Sequence, residues 1–290
     1  MNETFKRILS ALIALPVYFF AVITNAFDGY PILILSLIIS LLCLHEFYQI
    51  SSIKNPSAKP FVFTGMFFAS LLNLLFFQYA FRNFIFYENF SFIFFASIIA
   101  FLIAVSFCIQ LFNRSIDGAI YSLGATLFGV VFIVMFFSHI ILIKSMEDGL
   151  FYILILNITV MVNDIAAYFG GLFLGKHKTG FAVSPKKSWE GYFFGVLFSI
   201  IITIVACEFV SAFFDVKLFG CVEAAVVGLF ISLLANIGDL AESSIKRDAN
   251  VKDSGSIIPG HGGMWDVFDA MIFTMPFFYY YLQFRGVVLW

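Results

Sequence analysis

Charged residues are scarce in this chain: lysine, arginine, aspartate and glutamate together make up only 12% of its 290 residues. A soluble globular domain carries about twice that fraction. Apolar residues take their place, at 62% of the total, and they include 42 phenylalanines, more than one water-soluble core can bury. The composition therefore argues against a soluble enzyme and predicts an integral membrane protein.

Two further absences narrow the functional classes. The formal net charge of −2 provides no basic surface for nucleic acid, so no nucleic-acid partner is expected. The four cysteines lie in or beside apolar stretches and form no Cys-x-x-Cys pair. This spacing argues against a disulfide framework and against a zinc site, and it favours small buried apolar side chains.

Nine apolar stretches are long enough to cross the hydrocarbon layer, which takes about 20 residues of helix. They run continuously, without the alternation of a membrane β-barrel, so we predict an all-α integral membrane fold. Their approximate bounds are 8–27, 31–50, 60–81, 90–112, 118–143, 149–174, 191–214, 221–245 and 268–290. We interpret the first stretch as a retained span, because no convincing cleavage site follows it. An eight-span alternative, with one stretch lying at the interface, stays open.

Lysine and arginine are unevenly distributed between the two sides of this arrangement. With the N-terminus inside, 12 of the 16 fall on the inner side. The four on the outer side are Arg82, Lys144, Lys217 and Arg285. The positive-inside rule therefore predicts a cytoplasmic N-terminus. We expect one continuous domain in the inner (cytoplasmic) membrane, with residues 1–145 as scaffold and residues 146–290 carrying the chemistry on the cytoplasmic side.

Polar residues interrupt the apolar pattern mainly in the second half of the chain. In the first half the exception is His45-Glu46, and Glu46 is most simply an interfacial or interhelical partner. The first dense patch begins at Asp164, inside the sixth stretch, where a carboxylate implies a cation, a metal or a wet cavity. The glycines that follow, Gly170 and Gly171, permit close backbone approach for either helix packing or phosphate binding.

The connector after the sixth stretch contains two adjacent lysines. Pro185 suits the first turn of a new helix and Ser184 suits its N-cap, so a helix is predicted to begin there. Lys186 and Lys187 would then lie where the helix dipole disfavours cations, unless an anion binds between them. Attraction to acidic lipid headgroups explains the lysines equally well, so both explanations stay open.

A second, denser patch runs from residue 238 to residue 269. Asp239 and Glu242 are spaced to share one helix face, as are Asp266 and Asp269 at the start of the last stretch. The glycine-rich loop 259–263 lies between the two pairs and could wrap its backbone around a phosphate. Oxygen ligands of this kind suit magnesium together with substrate phosphates, which indicates phosphoryl or nucleotidyl transfer.

This second patch resembles the signature of the phosphatidate cytidylyltransferase family. In this chain it reads Ser243-x-Ile245-Lys246-Arg247, then Lys252-Asp253, Gly255, Ile258-Pro259-x-His261-Gly262-Gly263, Asp266 and Asp269. The connector 184–191 resembles a second conserved stretch of the family, and Asp164 belongs to its lead-in. The resemblance covers about residues 160–275. One position departs from the pattern, because Val267 stands where the family usually has an arginine.

The resemblance implies a magnesium-dependent membrane enzyme that makes CDP-diacylglycerol and pyrophosphate from CTP and phosphatidic acid. The lipid phosphate is already largely dianionic near neutral pH, so the carboxylates are expected to hold metal rather than to move protons. By resemblance, the metal ligands are Asp239, Asp266 and Asp164. The catalytic residues are Lys246, Arg247, Lys252, Asp253, His261 and Asp269, and the substrate-binding residues are Ser184, Lys186, Lys187, Ser188, Gly262 and Gly263. A second, monovalent cation and a homodimer are both compatible with the resemblance.

Two other functions remain as alternatives. A CTP-dependent transferase could act on another lipid phosphate or on a polyprenol with a similar set of residues. A transporter would be expected to place charges across several spans and to contain repeated halves. The charges of this chain are instead concentrated in one half, which disfavours the transporter.

Overall fold

A computed structural model describes residues 3–24, 27–81, 90–260 and 262–287 of the chain. Within these residues the secondary structure is helical, with two isolated β-bridges and no extended strand. The helices are α1 (Glu3–Ile23), α2 (Tyr30–Lys54), α3 (Val62–Phe81), α4 (Phe90–Asn113), α5 (Ala119–Gly129), α6 (Phe136–Lys144), α7 (Gly149–Leu174), α8 (Trp189–Phe214), α9 (Cys221–Asp248) and α10 (Met264–Phe284). A π-helical turn, Val130–Met135, joins α5 to α6 without a break. The predicted all-α fold is therefore confirmed.

Seven helical segments in the described part of the chain are long and apolar enough to cross a membrane. They are Phe27–Lys54, Val62–Phe81, Ile93–Asn113, Ala119–Lys144, Gly149–Leu174, Trp189–Phe214 and Cys221–Asp248. The first and last predicted spans fall on α1 and α10, which are helical but are not among the seven. The end of the last span, residues 288–290, lies outside the described residues. The chain is thus multi-pass, and the number nine stays a prediction.

Large apolar side chains cover much of the helix surface. Phe63 is 93% exposed and Phe112 is 83% exposed, and many further phenylalanines and isoleucines lie outward on the same helices. In water such a surface would be strongly unfavourable, whereas lipid chains solvate it. The exposed phenylalanines explain how a chain of this size carries so many aromatic residues.

The chain divides into two compact units. The first contains the described residues of Met1–Ser145 together with Lys246–Phe268. The second contains Met146–Ile245 and Asp269–Val287. The long helices α9 and α10 therefore contribute residues to both units, and the segment Lys246–Phe268 belongs with the N-terminal helices.

The first unit is held together by apolar packing around a small polar cluster. Asn73 of α3 is fully buried, and its side-chain oxygen accepts hydrogen bonds from Ser36 (2.6 Å) and Ser138 (3.2 Å). Its amide group donates to Ser40 at 3.1 Å. Since a buried amide is stable only when its hydrogen bonds are made, this cluster fixes α2, α3 and α6 in one arrangement.

In the second unit, α7 and α8 pack with their backbones unusually close. A Cβ atom on Gly191 would lie 2.8 Å from the carbonyl oxygen of Ala167 and 3.4 Å from the Cα atom of Gly171. A Cβ atom on Gly170 would likewise lie 2.7 Å from the Cβ atom of Phe194. Close helix packing is thus one role of these glycines, while Gly171 and Gly191 also line the cavity described below.

Candidate functional site

The helix after the lysine-containing connector begins later than predicted. Ser188 is the N-cap of α8, and its hydroxyl accepts a hydrogen bond from the backbone N–H of Gly191 at 3.2 Å. The prediction of a helix start at Pro185 with Ser184 as its cap is therefore wrong. Ser184 instead lies in a turn, where its backbone N–H donates to the carbonyl of Phe181 at 3.1 Å.

The backbone of the connector explains this later start. The N–H of Thr179 donates to the carbonyl of Lys187, and the N–H of Trp189 donates to the carbonyl of His177, both at 3.0 Å. These cross-loop hydrogen bonds hold the connector as a narrow, hairpin-like turn that cannot also be helical. Lys186 and Lys187 consequently lie before α8 rather than in its first turn, so the dipole penalty expected for them does not arise.

A cavity of about 540 Å³ opens in the second unit. Its charged and polar lining comes from α7, the connector, α8 and α9: Asp164, Tyr168, Lys178, Lys186, Lys187, Ser188, Tyr192, Asn236 and Asp239. Three lysines and two aspartates around one cavity form a site that can bind anions and a cation together. Five of the predicted site residues, Asp164, Lys186, Lys187, Ser188 and Asp239, therefore share this cavity. Ser184 does not line it.

An ion pair spans this cavity. The ammonium of Lys187 donates a hydrogen bond to the carboxylate of Asp239 and lies 5.3 Å from the ring centre of Tyr192. Burial by itself would lower the pKa of Lys187, but the carboxylate of Asp239 outweighs it, so the pKa is raised above its ordinary value. Lys187 thus remains a cation, held between the carboxylate of Asp239 and the side chain of Tyr192.

A buried chain of polar groups supports the other carboxylate. Asn163 is fully buried in α7, and its amide group donates to the Oδ1 atom of Asp164 at 3.1 Å. The hydroxyl of Ser232 donates to the amide oxygen of Asn163 at 2.6 Å. Because the Asn163 amide is fixed from α9, it holds the carboxylate of Asp164 in one orientation toward the cavity.

The first unit contains a second cluster, centred on Asp266 near the start of α10. The ammonium of Lys246 donates to Oδ1 of Asp266 at 2.6 Å, and both side chains are about nine-tenths buried (11% and 10% exposed). The other carboxylate oxygen accepts from the backbone N–H of Ser254 (2.8 Å), the hydroxyl of Ser254 (2.9 Å) and the backbone N–H of Gly263 (2.7 Å). The backbone of Gly262 also packs against this carboxylate, because a Cβ atom on Gly262 would lie 2.6 Å from Oδ2 of Asp266.

The remaining predicted residues lie at the end of α9, in the loop that follows it and in α10. Lys252 and Asp253 are exposed in the loop before α10, and Arg247 is exposed and donates to the carbonyl of Val251 at 3.0 Å. Asp269 belongs to the second unit, and its carboxylate accepts from the N–H of Ala270 at 2.6 Å. His261 lies outside the described residues.

The donor set of the cavity fits magnesium better than it fits a soft metal. No three histidine, cysteine or carboxylate side chains meet among the described residues. Magnesium needs no such cluster, since it usually binds one or two carboxylates and completes its shell with phosphates and water. Asp164 and Asp239 supply those carboxylates in the cavity. At Asp266 the carboxylate is more buried, 10% exposed against 35% for Asp239, and it accepts hydrogen bonds from Lys246, Ser254 and Gly263.

Sequence reasoning missed several residues that line the cavity. Lys178 is separated from the other two lysines by the turn of the connector, which the sequence did not reveal. Asn236 lies three residues before Asp239, and Tyr192 lies four residues after Ser188. Helical spacing from a site residue already named would have been the signal for both.

The sequence is similar to one protein family and to several curated bacterial proteins. A profile of the cytidylyltransferase family matches residues 5–285. A phosphatidate cytidylyltransferase of Staphylococcus epidermidis is 40% identical over 133 residues, which are 46% of this chain and 49% of that protein. Proteins of the same name are 35% identical over 160 residues in Bacillus subtilis (55% of this chain, 58% of that protein) and 36% identical over 182 residues in Staphylococcus aureus (60% and 65%). The chain thus spans about half to two thirds of the length of these relatives.

Proposed function

The chain belongs to the cytidylyltransferase family, and from that premise we propose that it condenses CTP with phosphatidic acid to give CDP-diacylglycerol and pyrophosphate. The observation that carries the proposal is the cavity of the second unit. There Lys178, Lys186 and Lys187 can bind phosphate groups, while Asp164 and Asp239 can hold the divalent cation that accompanies a nucleoside triphosphate.

The proposed reaction is a nucleotidyl transfer. An oxygen of the lipid phosphate attacks the α-phosphorus of CTP, the bond from that phosphorus to the bridging oxygen breaks, and pyrophosphate leaves. Because the lipid phosphate is largely dianionic near neutral pH, no strong base has to remove a proton from it. The tasks of the protein are therefore to align the two phosphates and to stabilise the charge that develops on pyrophosphate.

The residues of the cavity suit these tasks. Lys187 lies at the cavity lining, where its ammonium can also contact a phosphate, and Lys186 and Lys178 lie along the same lining. Asn163 holds Asp164 in position, so the carboxylate needs no reorganisation when substrate arrives. Asp164 and Asp239 would hold Mg²⁺, which when bound would neutralise part of the triphosphate charge.

The cluster of the first unit contributes residues that the family resemblance assigns to the same reaction. Lys252 and Asp253 are exposed and therefore accessible to a substrate, whereas Lys246 and Asp266 are paired and buried. We propose that the pair shapes its loop and that Lys252 contacts phosphate. The roles of Arg247, His261, Asp269, Gly262, Gly263 and Ser184 remain predictions from the resemblance.

We further propose nine membrane spans, a cytoplasmic N-terminus and a location in the inner membrane. The bias of lysine and arginine toward one side supports this orientation, and CTP is supplied from the cytosol. Fusions of a periplasmic reporter after each predicted span test the topology. If the reporter is active when it is fused at a loop predicted to be cytoplasmic, the orientation is the opposite of the one proposed. A homodimer and a second, monovalent cation also remain proposals.

A pyrophosphate-release assay tests the activity. Purified protein in detergent micelles is supplied with CTP and Mg²⁺ and with one of several lipid phosphates. Release with phosphatidic acid, and not with ATP in place of CTP, is the expected result. Release only with another lipid phosphate or a polyprenyl phosphate would identify a different transferase. No release with any of them would refute nucleotidyl transfer and leave transport as the rival.

A further inference from the structure

A fully buried carboxylate, Glu46 of α2, lies beneath the loop that carries Asp266. Its Oε1 atom accepts a hydrogen bond from the backbone N–H of Met264 at 2.8 Å, and its Oε2 atom accepts one from the N–H of Trp265, also at 2.8 Å. The hydroxyl of Ser254 is a third partner, 2.9 Å from Oε2. Glu46 is thus bound to both ends of the segment 254–265.

Two of these contacts cap a helix. Met264 and Trp265 form the start of α10, where backbone N–H groups have no partner within the helix. A carboxylate at this position satisfies two of them and interacts favourably with the positive end of the helix dipole. A side chain from α2 therefore fixes where α10 begins and in which direction its first turn points.

The third contact connects Glu46 to Asp266. The hydroxyl of Ser254 lies 2.9 Å from Oε2 of Glu46 and 2.9 Å from Oδ2 of Asp266. The two carboxylates therefore share one hydroxyl, and a displacement of Glu46 would move the group that orients Asp266.

The loop closes tightly around the Glu46 carboxylate. A Cβ atom on Gly255 would lie 2.6 Å from Oε1 of Glu46, and one on Gly263 would clash with Oε2 and with the hydroxyl of Ser254. Only residues without a side chain fit at these two positions. Glycines in this part of the loop therefore permit contact with Glu46, which is a different use from phosphate binding.

We propose that Glu46 is a positioning residue for the transfer reaction: it fixes the start of α10 and, through Ser254, the orientation of Asp266. The contacts of Glu46 lie within the first unit and do not depend on the proposed function. Only their effect on the transfer reaction rests on it. Glu46 is fully buried, so it would act through these contacts rather than by binding substrate itself. Its removal should therefore affect turnover more than it affects nucleotide binding.

The test uses Glu46→Gln, which keeps the shape of the side chain but replaces one acceptor oxygen with an NH₂ group facing N–H and O–H donors. We expect kcat to fall roughly 10- to 100-fold, as for other groups that orient a site residue, while KM for CTP stays within about twofold. Hydrogen exchange at the amides of Met264 and Trp265 should become at least about tenfold faster, because these amides lose their acceptor.

The matched control is Ser36→Ala, which removes a buried hydrogen bond from the same helix, ten residues before Glu46 and outside its contacts with the 254–265 segment. It should lower the midpoint of thermal unfolding without changing kcat or the exchange of the 254–268 segment. If Ser36→Ala reduces kcat as much as Glu46→Gln does, the effect is general destabilisation and the proposal is refuted. Unchanged kcat and exchange in Glu46→Gln refute it as well.

Two further arms keep the test decisive. If Glu46→Gln does not insert or fold, Ser254→Ala breaks the bridge to Asp266 and leaves the two helix-capping bonds in place. A drop in kcat of about tenfold or more then supports the proposal, and a wild-type kcat refutes it. If the wild-type protein makes no CDP-diacylglycerol, the proposed function fails, but the exchange comparison still decides whether Glu46 positions this loop.

Discussion

The replacement Lys187→Met tests the cavity of the second unit most sharply. It preserves the length and much of the apolar stem of the side chain, and it removes the ammonium group that is bonded to Asp239. Asp239 and Asp164 would then line the cavity with a smaller opposing charge. The phosphates of CTP would lose a positively charged hydrogen-bond donor. They would also be repelled more strongly by the two carboxylates, whose negative charge Lys187 no longer offsets.

The size of the effect follows from the partial burial of the group. The side chain of Lys187 is 25% exposed, so solvent screens its interactions only in part. A hydrogen bond to a charged group contributes about 1.5–3 kcal/mol, which corresponds to about 10- to 150-fold in an equilibrium or rate constant. We therefore expect kcat/KM for CTP to fall by about 10- to 150-fold. Lys187→Arg, which keeps the charge, should recover part of this loss.

The assay is the initial rate of pyrophosphate release at several CTP concentrations, with lipid and Mg²⁺ held constant. Lys217→Met is the matched control, because Lys217 is exposed in the same unit and does not line the cavity. It should leave kcat/KM unchanged. A Lys187→Met enzyme with wild-type kcat/KM would show that the cavity does not bind the nucleotide phosphates, and the reasoning would fail.

Three other predictions concern the same unit. Asp239→Asn should reduce turnover by more than about 100-fold in a radiometric assay, because a carboxylate proposed to hold Mg²⁺ is lost. Its control, Asp248→Asn, changes an exposed aspartate of the same helix and should not reduce turnover. Gly191→Ala should lower the midpoint of thermal unfolding by about 2–10 °C, since overpacking costs about 1–3 kcal/mol. Its control, Gly220→Ala, should leave the midpoint nearly unchanged, because a Cβ atom there would meet nothing within 4 Å. Because Asp239 raises the pKa of Lys187, the lysine loses its proton only at pH values above its ordinary range. CTP binding measured by calorimetry should therefore persist up to about pH 10, where a lysine of ordinary pKa already begins to lose its proton, and a loss of binding below that pH that Lys187→Arg abolishes would contradict the assigned charge.

The helices were predictable because the signal that defines them is carried by each segment alone. Long apolar runs predict membrane helices whatever they pack against, and seven of the nine predicted stretches coincide with segments that meet that criterion. The predicted helix through Asp239 and Glu242 is also present, because α9 is continuous through this region, but of the two residues only Asp239 lines the cavity. Nucleotidyl transfer was predictable as the class of reaction because carboxylates, lysines and glycines are unusual within and beside membrane-spanning stretches.

The details of the site were less predictable because they depend on contacts between segments distant in sequence. Ser184-Pro185 has the local features of a helix start, but hydrogen bonds across the connector move that start to Ser188. Glu46 gave no local indication of its partners, which lie more than 200 positions later in the chain. No periodicity within α2 could have indicated that this residue caps α10.

Transfer of label from CTP to lipid tests the central claim most directly. The protein is incubated with Mg²⁺, phosphatidic acid and CTP labelled at either the α- or the γ-phosphate, and the lipid and aqueous phases are separated. Our account predicts that the α-label appears in the lipid phase as CDP-diacylglycerol, that the γ-label stays in the aqueous phase as pyrophosphate, and that both products form in equal amounts. Transfer of the γ-label to lipid, or retention of both labels in the aqueous phase, would contradict it.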